Sequence, residues 1–103
     1  MIERTAVEHG RSLVTFRLPK TVLDDQDAGE LAVSVVGDFN DWTPGVDPMA
    51  PEGDDLVAHR ELDWGRPYRF RYLFAGGRWE NDPNADGFAN NDLGGHDSVV
   101  DLT

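Results

Sequence analysis

Cysteine is absent from this 103-residue chain, and lysine occurs once, as Lys20. Without cysteine there is no disulfide to brace the fold and no thiolate for zinc or covalent catalysis, so stability has to come from side-chain packing. No apolar run approaches the roughly 20 residues that span a bilayer, and Met1 to Gly10 lacks the apolar centre of a secretion signal. A cytoplasmic location without a membrane partner is therefore expected. Basic residues are scarce as well: nine Lys and Arg stand against 20 Asp and Glu, a net charge of −11 that repels phosphate backbones and anionic headgroups. Nucleic acid is thus not an expected partner. No window carries a sustained helical period, and there is neither an internal repeat nor a low-complexity tract.

What is present is strand chemistry separated by turn chemistry. At this length one domain over residues 1–103 is expected, burying roughly two-thirds of the unfolded chain's surface. Ser12 to Leu18 is rich in β-formers and stops at Pro19, and the acidic segment 20–30 reads as a loop. Leu31 to Val36 is apolar at nearly every position, as a strand buried within a sandwich should be. Residues 38–54 are full of Asp, Asn, Gly and Pro and predict a long loop. Leu56, Ala58 and Leu62 share one side of the next strand, with Arg60 interrupting the set. After a turn at Asp63-Trp64-Gly65, Tyr68, Phe70, Tyr72 and Phe74 alternate with Arg69 and Arg71, the clearest strand of all. Gly76-Gly77 marks a hairpin, Arg78 to Glu80 the return, 81–95 a second long loop and Asp97 to Leu102 a last strand. Short strands joined this way predict an all-β antiparallel sandwich.

Catalysis is not expected. Among 20 acidic residues some pair will stand at a glycosidase-like separation by chance, but such enzymes also need an enclosing cleft that a chain this short does not supply. Residues 82–87 read as D-x-N-x-D-G, the first half of a calcium loop, yet the twelfth position is Leu93 rather than a bidentate glutamate. His9, His59 and His96 lack metal-ligand spacing. Neither a metal nor another cofactor is implied. Trp42 and Trp79 both lie beside polar loops, where an indole serves either the core or a binding surface; Trp64 is expected at the surface or packed at an edge.

Four segments occur in an ordered series: VVGDFNDW (35–42), PYRFRYLF (67–74), GGRWENDPNAD (76–86) and LGGHDSVV (93–100). From about Leu31 to the C-terminus the chain thereby resembles carbohydrate-binding module family 48. That family comprises the early-set modules ahead of the catalytic domains of glycogen branching enzymes and isoamylases, and the glycogen-binding domain of the AMP-activated protein kinase β subunit. The resemblance implies an immunoglobulin-like, early-set sandwich with a shallow α-glucan site. It implies Trp42 and Trp79 as stacking platforms, Arg69 and Asp97 as hydroxyl-bonding groups, and Leu93 as an apolar residue set against the curved glucan. Asp97 stands where the family usually has an asparagine and Gly95 where the kinase subunit has a threonine, which exchanges an amide for an acceptor-only carboxylate and deletes a hydroxyl. The expected partner is glycogen, starch or a maltooligosaccharide, held with micromolar to millimolar affinity, roughly −8 to −4 kcal/mol. The runner-up is a protein-interaction module that keeps the sandwich, has lost sugar affinity and docks onto a glucan-metabolising enzyme.

Overall fold

The computed structural model describes residues 2–6, 10–23, 27, 32–91 and 95–103. Its strands are β1 (Ile2–Ala6), β2 (Arg11–Pro19), β3 (Val33–Gly37), β4 (Asp47–Pro48), β5 (Ala50–Glu52), β6 (Asp55–Asp63), β7 (Pro67–Phe74), β8 (Trp79–Glu80), β9 (Gly87–Asn90) and β10 (His96–Asp101). They form two antiparallel sheets, ordered β1-β2-β6-β5 and β4-β3-β7-β10-β9, with β8 also paired to β7. Among the described residues there is no α-helix, and no helix long and apolar enough to cross a membrane.

The alternation in the sequence decides what each sheet turns inward. Val14, Phe16 and Leu18 of β2, with Leu56, Ala58 and Leu62 of β6, meet Tyr68, Phe70, Tyr72 and Phe74 of β7 in one buried core. The Phe16 ring crosses from the first sheet to the second and meets Phe70 edge-on, with centroids 5.0 Å apart. An aromatic pair of this kind adds about 0.5–1.5 kcal/mol beyond its area burial. Every residue of β3 is buried, in keeping with its apolar run; Leu31, where that run begins, and much of the acidic loop 20–30 lie outside the described residues.

Two expected loops contain strands. Within 38–54 the chain adds β4 and β5, and within 81–95 it adds β9, while the unassigned N-terminal segment forms β1. All four are edge strands. Pro48 lies in β4 and Pro51 in β5, and proline, which removes a ladder donor, is tolerated in a sheet at such edges.

The second edge of β7 is shared. β10 pairs with it from Pro67 to Phe70, and β8 pairs farther along at Tyr72 and Leu73. The junction is sealed by Asp82, fully buried, which accepts the Tyr72 hydroxyl at 2.7 Å and the Asn84 N–H at 2.8 Å. The carboxylate that opens the calcium-like segment thus faces inward onto the core tyrosine. Ser98 Oγ, donating to Asn81 Oδ1 and accepting the Asp82 N–H, ties the same junction to β10.

Candidate functional site

The turn after β3 carries the first indole. Gly37 is closely approached: a Cβ there would sit 2.3 Å from the Arg69 carbonyl oxygen and 2.8 Å from the Phe70 Cβ, so only glycine fits against β7. Residues Asp38–Asn40 then make a 3-10 turn. Phe39 points back to the core and stacks on Phe16, with centroids 5.6 Å apart. Asn40 is buried; its Oδ1 accepts the Gly37 N–H at 3.0 Å, and its Nδ2 donates to the Val35 carbonyl and to Asp47. Arg60, reaching over from β6, donates to Asp47 Oδ2 and to the Phe39 carbonyl, both at 2.8 Å. Asp41 and Trp42 follow with φ of 53° and 57°. A left-handed conformation costs an L-residue about 1–2 kcal/mol, and a bulky residue held in it marks an over-determined site.

Asp38 sets the indole's position. Its Oδ1 accepts the Trp42 Nε1–H at 3.1 Å, and its Oδ2 accepts the Arg69 backbone N–H at 2.8 Å. Trp42 is therefore referred to β7 through one carboxylate.

The second indole comes from the hairpin after β7. Trp79 lies opposite Leu73 in the register, and so shares the outward face of the sheet with Arg71 and Arg69. Arg78 braces the hairpin: its guanidinium stands 4.1 Å over the Phe74 ring and donates to Asp27 at 2.9 Å. Trp79 keeps 43% of its surface exposed.

Trp42, Trp79, Arg71, Asn91 and Asp97 line one open groove of about 420 Å³. Asp97 is only 6% exposed. Its Oδ1 lies 2.9 Å from Arg71 Nε and accepts from Asn91 Nδ2 at 3.2 Å, while its Oδ2 is 3.8 Å from Arg69 Nη1. Arg71 Nε and Nη2 also donate to the His96 carbonyl. Nη1 has no partner among the described residues, so this guanidinium is held from behind and has a donor to spare. Arg69 flanks the groove, with Nη1 donating to the Asn90 carbonyl at 3.2 Å. A Cβ at Gly95 would stand 3.1 Å from Arg71 Nη2, so a larger residue there would press on the guanidinium.

Of the five residues expected at the site, Trp42, Trp79 and Asp97 come together, Arg69 lies beside them, and Leu93 lies outside the described residues. The sequence does not single out Arg71, Asn91 or Asp38 for binding. The strand alternation already placed Arg71 on the same face as Arg69; Asn91 carries no periodic signal. Trp64, half-exposed at 51%, is at the surface as expected, and Tyr68, Phe70 and Tyr72 are in the core. Comparison with known protein families finds no match, and comparison with curated proteins finds none either.

Proposed function

We propose that the protein binds α-glucan non-covalently across the Trp42–Trp79 groove, as a sugar-binding module of the family 48 kind without catalytic residues. One observation carries this reading: two indoles delivered by separate elements border a single open groove that also contains a guanidinium. A glucose ring offers a patch of C–H groups ringed by hydroxyls, so it can lie on an indole while charged groups at the rim read the hydroxyls. Arg71 supplies donors through Nη1 and Asn91 a neutral amide; Arg69 stands within reach of a ligand that extends past Asp97. Because the groove is open, little surface is desolvated per sugar, and micromolar to millimolar affinity follows.

The second reading, a module that docks onto a glucan-metabolising enzyme, is favoured by Asp97. Its carboxylate is buried and engaged by Arg71 and Asn91, which reduces what it can offer to a hydroxyl. Titration with maltoheptaose or β-cyclodextrin separates the two. Glucan binding in this groove requires a saturable shift of the Trp42 indole N–H resonance that Trp79→Ala abolishes. A flat response up to millimolar sugar would leave protein docking as the function.

A further inference from the structure

Trp64 lines a groove of about 570 Å³ that shares no residue with the Trp42–Trp79 groove. It stands in the turn between β6 and β7, and its neighbours there include Arg4 of β1, Ser12 of β2 and Asp101 and Thr103 at the end of β10. The indole is 51% exposed, and among the described residues no aromatic ring pairs with it. An isolated exposed aromatic is ordinarily unremarkable, but one whose backbone is pinned beside a concave, partly polar surface is not.

The turn is pinned from three sides. The Trp64 N–H donates to the Gly10 carbonyl at 2.8 Å, the Gly65 N–H donates to the Leu102 carbonyl at 2.8 Å, and the Tyr68 hydroxyl donates to the Asp63 carbonyl at 2.9 Å. Gly65 has a φ of 99°, which a residue with a side chain would resist. A pinned backbone lowers the ordering cost of presenting the ring, leaving only its side-chain rotation to be fixed on binding.

The fringe of the groove carries both donors and acceptors. Arg4 is paired with Asp86, whose Oδ2 also accepts the Asp101 N–H at 2.8 Å. Asp101 accepts the Thr103 hydroxyl and N–H; those bonds, with Arg4's charge, hold its carboxyl below the usual value, so it is an ionised acceptor at neutral pH. Arg4, Asp86 and Asp101 together sum to one negative charge, which disfavours an anionic ligand and suits a neutral one rich in hydroxyls.

We infer that Trp64 is a second aromatic platform, taking a glucose unit of an α-glucan between Arg4 and Asp101 independently of the Trp42–Trp79 groove. The choice of sugar rests on the proposed function; the site itself rests on the geometry of the turn. Two weak sites on separate surfaces would let one small module grip a polymer at two points and gain avidity.

The test uses the three indole N–H resonances of the full chain, assigned with Trp64→Phe and Trp79→Ala. Maltoheptaose is added to the wild-type protein and to Trp79→Ala. The expected result is a saturable shift of the Trp64 resonance in both, with dissociation constants within about threefold of each other. A Trp64 resonance that stays still while Trp79 responds would overturn the inference and leave the proposed function intact. A Trp64 shift seen in the wild type but lost in Trp79→Ala would overturn it too, because the ring would then be reporting on the first groove. Movement of Trp64 with Trp79 unmoved would keep the second site and refute the first.

Discussion

Asp38 holds Trp42: one carboxylate oxygen accepts the indole N–H at 3.1 Å, and the other accepts the backbone N–H of Arg69 at 2.8 Å. The bond spans four residues of a turn whose end is left-handed at Asp41 and Trp42, a conformation that has to be stabilised by something. Asp38 provides part of that stabilisation and ties the turn to β7, which carries Arg71. The aromatic ring and the guanidinium are thereby kept in a fixed relation before any ligand arrives, which lowers the ordering cost of binding.

Asp38→Ala removes both acceptors at once. It should destabilise the fold by about 1–2 kcal/mol, the cost of losing one partly buried and one exposed hydrogen bond. The Trp42 indole N–H resonance should move upfield and its solvent exchange should quicken, while the Trp79 resonance stays in place. Asp38→Asn keeps one oxygen and should sit between the two. An unchanged Trp42 resonance in Asp38→Ala would show that the indole is held by something else.

Arg60 bears on the same turn from the opposite sheet. In the sequence it only interrupts an apolar set, yet it lies 2.8 Å from both Asp47 and the Phe39 carbonyl and 5.7 Å from the Phe39 ring. Hydrogen bonds to charged groups contribute about 1.5–3 kcal/mol each at best, and partial exposure reduces that. Arg60→Met, which keeps the aliphatic stem, should lower the urea midpoint by the equivalent of about 1–2 kcal/mol. A variant as stable as the wild type would leave the turn's stability to Asn40 and Asp38.

The contrast between strands that could be read and strands that could not follows from where each sits in its sheet. β2, β3, β6, β7 and β10 have a neighbour on both sides and a face in the core, so each carries apolar core residues in a readable pattern, such as Val14, Phe16 and Leu18 in β2, Tyr68, Phe70, Tyr72 and Phe74 in β7, and the fully buried run of β3. β1, β4, β5 and β9 are edges; Glu3, Arg4, Pro48, Pro51 and Asn90 can stand there because water or nothing need pair with their outer side. The site divides the same way. The two indoles stand out through the family resemblance, since a tryptophan beside a polar loop can equally serve the core. Asp38, Arg71 and Asn91 do not, since their roles depend on contacts from residues as much as 31 positions away, such as the Asp38–Arg69 bond.

Tyr72 provides a pH dependence. Burial, then the charge of Asp82 and its hydrogen bond, push the Tyr72 hydroxyl well above its ordinary value. The folded state therefore holds this proton more tightly than the unfolded chain, where tyrosine titrates near pH ~10. Its contribution is fully present below that value and falls away as pH rises toward the folded value, by about 1.4 kcal/mol per pH unit. The melting temperature should drop as pH rises above about 10, and Tyr72→Phe should flatten that decline while lowering stability at neutral pH. Parallel declines in the two proteins would place the alkaline sensitivity in other groups.

Arg71 and Arg69 alternate on one strand face, and the family resemblance points to Arg69 as the residue that bonds sugar. The geometry favours Arg71. Its Nε lies 2.9 Å from Asp97, it lines the groove together with both indoles, and its Nη1 has no partner among the described residues; Arg69 is turned to the Asn90 carbonyl and lies beside the groove. Arg71→Ala should weaken maltoheptaose binding by about tenfold or more, the loss of a charge-assisted hydrogen bond, and Arg69→Ala by about threefold or less. Arg71→Lys should not restore binding, because a point charge cannot face Asp97 and a hydroxyl at once as the planar fork does. Asp97→Asn leaves an amide where the carboxylate was and releases part of Arg71's hold, so its affinity distinguishes two roles. A loss matching that of Arg71→Ala marks Asp97 as the residue that positions the guanidinium, whereas a gain marks it as a hydroxyl reader that an amide serves better. If Arg69→Ala proves the more damaging arginine variant, the ligand crosses the sheet beyond the groove rather than lying within it.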